Sequence, residues 1–298
     1  MKTLSTLFKN NVREYGMLIA LIAVMVFFQV QTQGVLMKPV NITNLVLQNS
    51  YVITMAMGML LIIITGGIDL SVGSVVAVIG ALAGVLIVRY DANWGLVVAL
   101  SLVLGAAIGA FHGYFVAYLK IPAFIVTLAG MLIFRGLTIA LLRGESVGPF
   151  PRGFQNISSG FIPDLFQNEG LHITTLLIGV LLSVLLIFLD ARGRKNQQKY
   201  GFEVTPFYFF VVKNIAITIA VMGFCYLMAS YKGLPNVLVL LFVLITFYAF
   251  ITSSSVIGRR IYAMGGNEKA ARLSGVNTPR LLFYTFINMG VLASLAGL

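Results

Sequence analysis

Nine long apolar segments run through the 298-residue sequence, and they constrain its fold more than any other feature. A helix needs about 17 to 25 mostly apolar residues to cross the ~30 Å hydrocarbon core of a bilayer. The segments meet that length, and none alternates polar and apolar residues as a half-buried strand does. They cover residues 15–37, 44–64, 71–89, 94–118, 123–142, 172–190, 207–229, 237–253 and 281–298. The sequence therefore predicts an all-α fold, a polytopic membrane helix bundle.

The composition excludes the soluble alternatives. Hydrophobic residues make up 59% of the sequence and charged residues 10%, whereas a soluble domain carries about 25% charged residues. The single cysteine, Cys225, allows no intrachain disulfide bond. The two histidines, His112 and His172, lie in separate segments, so we expect no metal site. A soluble enzyme, a fibrous protein and a disordered chain are therefore excluded.

The basic residues between the apolar segments predict the orientation. With a cytoplasmic N-terminus, 13 of the 20 Lys and Arg residues fall in cytoplasmic segments and five in outer ones. This is the bias that the positive-inside rule describes. Nucleic-acid binding would instead require a basic face on a folded domain, so we do not expect it. We predict a cytoplasmic N-terminus, a periplasmic loop at residues 143–171 and a cytoplasmic loop at 254–280.

A pair of glycines interrupts the apolar pattern between the second and third segments, in the run Gly66-Gly67-Ile68-Asp69-Leu70-Ser71-Val72-Gly73. The glycines predict a helix break, and Asp69 and Ser71 are residues that cap a following helix. A broken helix at membrane depth occurs where it is buried in protein or lines a wet cavity. The motif therefore predicts either a tight inner hairpin or a polar site that faces a hydroxyl-rich solute.

Arg135 lies about twelve residues into a predicted span, where a charge costs about 2.5–3.5 kcal/mol. We expect its guanidinium to face the bundle interior, either near a solute pathway or in a structural ion pair. Asp69 can pair with Arg135 only if the turn that holds Asp69 re-enters the membrane.

A stripe of glycines lies in the fourth predicted segment. Gly105, Gly109 and Gly113 recur every four residues, and this spacing predicts close helix packing.

The cytoplasmic loop contains the signals of a short helix. Gly265-Gly266 predicts a turn. The Asn267 side chain can accept hydrogen bonds from the free amides of a first helical turn. Glu268 would lie in that turn, where the positive end of the helix dipole stabilises a carboxylate. A left-handed cap at Gly275 would end this helix. The segment either anchors the bundle at the interface or docks another protein. Its candidate residues are Gly265, Gly266, Asn267, Glu268, Ala270, Ala271, Arg272 and Gly275.

Three segments resemble signatures of one transporter family. Residues 265–275 resemble the cytoplasmic coupling loop of ABC importer permeases, in the form found in the monosaccharide branch. Residues 66–73 resemble that branch's signature between the second and third spans, and residues 121–136 resemble a third signature. Within the branch, the sequence is most similar to the permeases of xylose and multiple-monosaccharide systems.

This resemblance implies the permease subunit of a bacterial ABC importer, a multi-pass protein of the inner membrane. The solute would be a pentose or hexose such as xylose, arabinose, galactose or glucose. The implied partners are an ABC ATPase docked on the coupling loop, a periplasmic sugar-binding protein, a second permease copy and membrane lipid. The candidate residues for the translocation pathway or for a structural signature are Gly66, Gly67, Asp69, Ser71, Gly73 and Arg135.

We expect no catalysis and no cofactor in this chain. The sequence contains no Gly-x-x-x-x-Gly-Lys-Ser/Thr motif, so ATP and Mg²⁺ would be bound by the partner ATPase. One alternative is a permease of the same branch for a signal molecule, a nucleoside or a branched-chain amino acid. Another is an ion-coupled secondary transporter, which needs acidic residues at the membrane midplane. The sequence stops at Leu298 within an apolar run, so we expect the single transmembrane domain 1–298 to be a fragment.

Overall fold

The computed structural model describes residues 12–166, 170–202, 204 and 206–298, and these residues form α-helices and no strand. The helices are α1 (Val12–Gln31), α2 (Pro39–Ile64), α3 (Val72–Gly84, continued by a π-helical turn Val85–Arg89), α4 (Trp94–Ala117), α5 (Ala123–Leu142), α6 (Arg152–Ser158), α7 (Ile173–Lys199), α8 (Phe207–Ala229), α9 (Asn236–Ser254), α10 (Val256–Gly266), α11 (Glu268–Leu273) and α12 (Thr278–Gly297).

Eight of the described helices are long and apolar enough to cross a membrane: α2, α3 with its π-helical end, α4, α5, α7, α8, α9 and α12. They coincide with the second to ninth predicted segments. The first predicted segment corresponds to α1, whose described apolar part, Ile19–Gln31, is shorter. The prediction of an all-α, polytopic membrane bundle is confirmed.

Three connecting segments contain more helix than we predicted. α7 continues to Lys199, nine residues beyond the end of the predicted segment 172–190. The short helix α6 lies within the predicted outer loop, and α10 precedes the predicted helix of the inner loop. Hydropathy shows where a helix leaves the bilayer but not where it ends, because Lys, Arg and Gln are good helix formers in water.

The described chain forms two compact units. The first contains residues up to Val46 together with 161–235, and the second contains residues 47–160 and 236–298. The prediction of one domain over residues 1–298 stays a prediction.

In the first unit, α7 and α8 form a closely packed hairpin. Gly179 lies against Cys225, and a Cβ atom at Gly179 would stand 2.8 Å from the Cys225 sulfur. At the other end of the hairpin, Lys213 Nζ donates to Asp190 Oδ1 at 2.7 Å. These two contacts hold the α7 and α8 faces together along their length.

The start of α7 is fixed by the carboxylate of Asp164 in the preceding loop. Asp164 accepts hydrogen bonds from the amides of Ile173 and Thr174 and, at 2.7 Å, from the Thr174 hydroxyl. The Thr174 hydroxyl first, and then the backbone amides, lower the pKa of Asp164 to about 2. A carboxylate at this position also interacts favourably with the positive end of the helix dipole.

In the second unit, α4 packs closely against α12. A Cβ atom at Gly105 would clash with the Gly290 carbonyl, and one at Gly109 would clash with the Phe286 carbonyl. A side chain at Gly113 would also meet α12, at the Phe283 carbonyl. The predicted role of the glycine stripe in close helix packing is therefore confirmed.

Candidate functional site

The helix break predicted at Gly66-Gly67 is present. α2 ends at Ile64, and Gly66 adopts a left-handed φ of +84°, a conformation that favours glycine. The Gly67 amide donates to the Ile62 carbonyl at 2.9 Å and so closes the end of α2. Residues 67–71 then form a non-helical turn that leads to α3.

Asp69 is the buried carboxylate of this turn, with 6% of its surface exposed. Its Oδ1 atom accepts from the Ser71 amide at 2.8 Å and from the Ser71 hydroxyl at 2.6 Å. Ser71 is the N-cap residue of α3, but its side chain makes no hydrogen bond to the first helical turn. The Asp69 carboxylate thus accepts the amide at the start of α3, as predicted, whereas the predicted cap by the Ser71 side chain is absent. The Ser71 backbone is already helical, at φ −80° and ψ −16°, whereas a capping side chain requires an extended backbone.

Thr127 on α5 fastens the turn to its neighbouring helix. Its side chain is fully buried, and its hydroxyl accepts from the Leu70 amide at 3.1 Å. The same oxygen lies 3.2 Å from the Ile68 carbonyl and 2.9 Å from the Ala123 carbonyl, and its single proton serves one of them. The sequence reasoning assigned no role to Thr127. The available signal was a hydroxyl within the first two turns of an apolar span.

His112 on α4 approaches the same turn from the other side. It is 2% exposed, and its Nδ1 lies 3.4 Å from the Ser71 hydroxyl. Because that hydroxyl donates to Asp69, we assign Nδ1 as the donor in this contact. Nε2 lies against Gly130 of α5, where any Cβ atom would clash with the ring, and it has no hydrogen-bond partner among the described residues. His112 therefore joins the turn to two helices, a position that its sequence context does not indicate.

A small cavity adjoins these polar groups and has room for about one water molecule. Asp69, Ser71 and His112 line it together with apolar side chains and the backbone of α12. The carboxylate and the imidazole can accept and donate hydrogen bonds to a hydroxyl group here. The cavity is too small for a solute much larger than water in this conformation.

The structure does not bring Arg135 to this turn. Gly130 and Phe134, one helical turn apart on α5, contact His112, with the Phe134 and His112 ring centroids 5.8 Å apart. Arg135 therefore lies on the exposed side of α5, whereas we expected it to face the interior. Among the described residues it makes no ion pair or hydrogen bond, and Asp69 is bonded to Ser71 instead. A role for Arg135 in the pathway stays a prediction.

The inner loop folds as two short helices separated at Asn267. The Asn267 side chain accepts from the Ala270 amide at 3.0 Å, which confirms the predicted cap of α11. Gly265 and Gly266 were expected to form a turn, but both belong to α10. Glycine is nevertheless required at position 265, because a Cβ atom there would clash with the Ile64 carbonyl at the end of α2. Gly265 is thus required for contact between helices, not for a turn.

α11 ends as its sequence predicts. Gly275 has a left-handed φ of +86°, and the Val276 amide donates to the Ala271 carbonyl at 3.1 Å. This is the Schellman pattern of a helix C-terminus. Ala271 faces inward, and the Glu268 carboxylate accepts from the Thr278 hydroxyl at 3.0 Å, so the short helix is tied to the start of α12.

The outward side of α11 presents a mixed surface. Lys269, Ala270 and Arg272 are exposed, and Leu273 is 91% exposed. A single exposed apolar side chain does not by itself mark a contact surface, so the docking role of α11 stays a prediction. The contact between Gly265 and Ile64 then connects this segment to the end of α2, three residues before Gly67.

A bundle of apolar spans, with a polar turn between two of them and an exposed short helix on one loop, defines a multi-pass membrane protein. The chain belongs to the family described as branched-chain amino acid transport system / permease component, whose model matches residues 41–298.

The chain is also similar to named permeases. It is 37% identical to the xylose transport system permease protein XylH of Escherichia coli K12 over 97% of the chain and 71% of XylH. It is 34% identical to XylH of Haemophilus influenzae, over 97% of the chain and 75% of that protein. It is 35% identical to the ribose import permease protein RbsC of Escherichia coli K12, over 87% of the chain and 60% of RbsC. These relatives are membrane components of transport systems and not enzymes. No solved structure gives a match.

Proposed function

We propose that the chain is the inner-membrane permease of an ATP-driven ABC importer for a monosaccharide, a pentose or hexose of the xylose type. The observation that carries this proposal is the similarity to XylH over nearly the whole chain. The family description names branched-chain amino acids, but the curated relatives with 31–37% identity carry xylose and ribose names. Sugar is therefore the favoured solute class.

The geometry supports a division of labour between this chain and its partners. α11 offers an exposed surface for a separate ATPase subunit, and a periplasmic binding protein would deliver the sugar on the opposite side. A second copy of the permease would complete the path. ATP binding would move α11, and the contact of Gly265 with Ile64 would pass that movement to the turn that holds Asp69. The chain itself performs no chemistry in this scheme.

Reconstitution tests the solute and the energy source together. The permease is placed in liposomes with the ATPase and the binding protein that co-purify with it, and uptake of labelled xylose, ribose, glucose and leucine is measured. We expect ATP-dependent uptake of one or more sugars and no uptake of leucine. Leucine uptake alone would overturn the sugar assignment. Uptake driven by an ion gradient without ATP would overturn the importer class.

The docking role of α11 has its own test. Replacing Glu268 by Ala, or Gly275 by Val, should uncouple sugar uptake from ATP hydrolysis while the permease stays folded in the membrane. Val is strained at Gly275 because of its positive φ of +86°. Gly144 provides the matched control, since it has a φ of +79° and lies in the predicted outer loop. Solute-stimulated ATP hydrolysis that is normal in both coupling-loop variants would contradict the docking role.

A further inference from the structure

The helix α7 is too long to lie entirely within a bilayer. Its 27 residues span about 40 Å, whereas the hydrocarbon core is about 30 Å thick. The apolar part ends at Leu189, and residues 190–199 are charged or polar apart from Ala191 and Gly193. The last turns of α7 therefore stand at the level of the lipid headgroups and beyond.

One face of α7 is occupied by α8. Gly179 contacts Cys225 near the open end of the hairpin, and Asp190 pairs with Lys213 nearer its connecting loop. The Arg194 guanidinium lies over the rings of two phenylalanines at the start of α8, with distances of 5.8 and 5.4 Å to the ring centroids. At 100° per residue, the three α7 residues Gly179, Asp190 and Arg194 share one side of the helix.

The opposite face of α7 is apolar and exposed in its spanning part. Its side chains are between 45% and 69% exposed: Leu177, Leu181, Val184 and Phe188. They repeat at intervals of three and four residues, so they form one continuous stripe. In a membrane helix, an exposed apolar stripe of this kind contacts lipid acyl chains.

The same face continues into a row of cations, which we name the basic stripe: Arg192, Lys195 and Lys199. The three side chains follow at the same spacing of four, three and four residues after Phe188, and all are exposed. The acid nearest to them, Asp190, points to α8 and pairs with Lys213 at 2.7 Å. Glu203 lies outside the described residues. The basic stripe thus carries three positive charges directly above the lipid-facing stripe.

We propose that the basic stripe binds the headgroups of anionic phospholipids in the cytoplasmic leaflet. The occupant is a lipid because the stripe extends an acyl-facing surface to headgroup level. The lipid is anionic because the stripe is cationic. A cation close to a membrane surface contributes about 1 kcal/mol to the attraction of anionic lipid, a factor of about five in affinity. This site does not depend on the transported solute.

Lipid retention measures the site directly. The permease is reconstituted in equal parts of phosphatidylglycerol and phosphatidylcholine, extracted in mild detergent, and the bound lipids are counted by native mass spectrometry. We expect the wild-type protein to retain phosphatidylglycerol selectively, and the selectivity to fall as salt is raised. The triple variant Arg192→Gln, Lys195→Gln and Lys199→Gln should lose about fivefold in selectivity for each cation removed.

A matched variant removes the same charge from predicted outer segments: Lys38→Gln, Arg143→Gln and Arg152→Gln. It should keep the wild-type selectivity, and a protease-accessibility assay checks that both variants insert in the wild-type orientation. If the triple variant inserts wrongly, the single Lys199→Gln variant replaces it, with an expected fivefold loss.

Three results would overturn the proposal. Wild-type protein could retain the two lipids equally, or the outer variant could lose selectivity as much as the inner one. Soluble glycerol phosphate could also displace the retained lipid completely, which would identify a site for free phosphate instead.

Discussion

Replacing Gly265 by Ala should disconnect the coupling segment from the membrane helices. A Cβ atom at Gly265 would clash with the Ile64 carbonyl oxygen, lying about 1 Å closer than two such atoms approach. The obstacle is backbone, so no side chain can move aside, and α10 must separate from the end of α2 by about 1 Å. Overpacking of this kind costs about 1–3 kcal/mol. A coupling free energy of that size changes the equilibrium between the coupled and the uncoupled states by a factor of about 5–150.

The neighbouring glycine is the control. A Cβ atom at Gly266 meets nothing within 4 Å, and Gly266 is also helical. The two variants therefore differ in one feature, the contact with Ile64. The assay measures sugar molecules imported per ATP hydrolysed in proteoliposomes, together with the membrane level of each variant. We expect Gly265→Ala to lower this ratio at least about fivefold and Gly266→Ala to leave it unchanged. Equal ratios in the two variants would refute the reasoning.

The other predictions concern single side chains. Gly130→Ala should lower the melting temperature because it clashes with the His112 ring, with a cost of about 1–3 kcal/mol, whereas Gly136→Ala meets nothing within 4 Å and should not. In a His112→Ala background, Gly130→Ala should cost much less than in the wild type, and an unchanged cost would contradict the assigned contact. The pKa of Asp164 is about 2, below its usual 3.8. The contribution of Asp164 to stability is therefore present above pH ~4 and is lost as the pH falls from about 4 to about 2. Asp164→Asn should remove this part of an acid-unfolding curve. A pathway role for Arg135 requires Arg135→Leu and Arg135→Lys both to reduce uptake at normal membrane levels, and normal uptake in both variants would contradict that role.

The spans and the local ends of helices follow from the amino-acid sequence alone. Eight predicted segments agree closely with helices because twenty apolar residues in a row have one stable arrangement in a bilayer. The cap at Asn267, the left-handed end at Gly275 and the break at Gly66 were predictable for a similar reason. Each depends on backbone groups within a few residues, so the local sequence contains the whole cause.

Which of the marked residues act together depends on tertiary packing. Gly265 was expected to form a turn but is helical, and the need for glycine there comes from the close approach of the Ile64 carbonyl, about two hundred residues away in sequence. His112 and Thr127 meet the turn at Asp69 because α4 and α5 pack on either side of it, while Arg135 lies on the outer side of α5. Which side of a uniformly apolar helix faces inward is set by the shapes of the neighbouring helices. The packing role of a small residue such as Gly130 can be assigned only when the side chain opposite it is known.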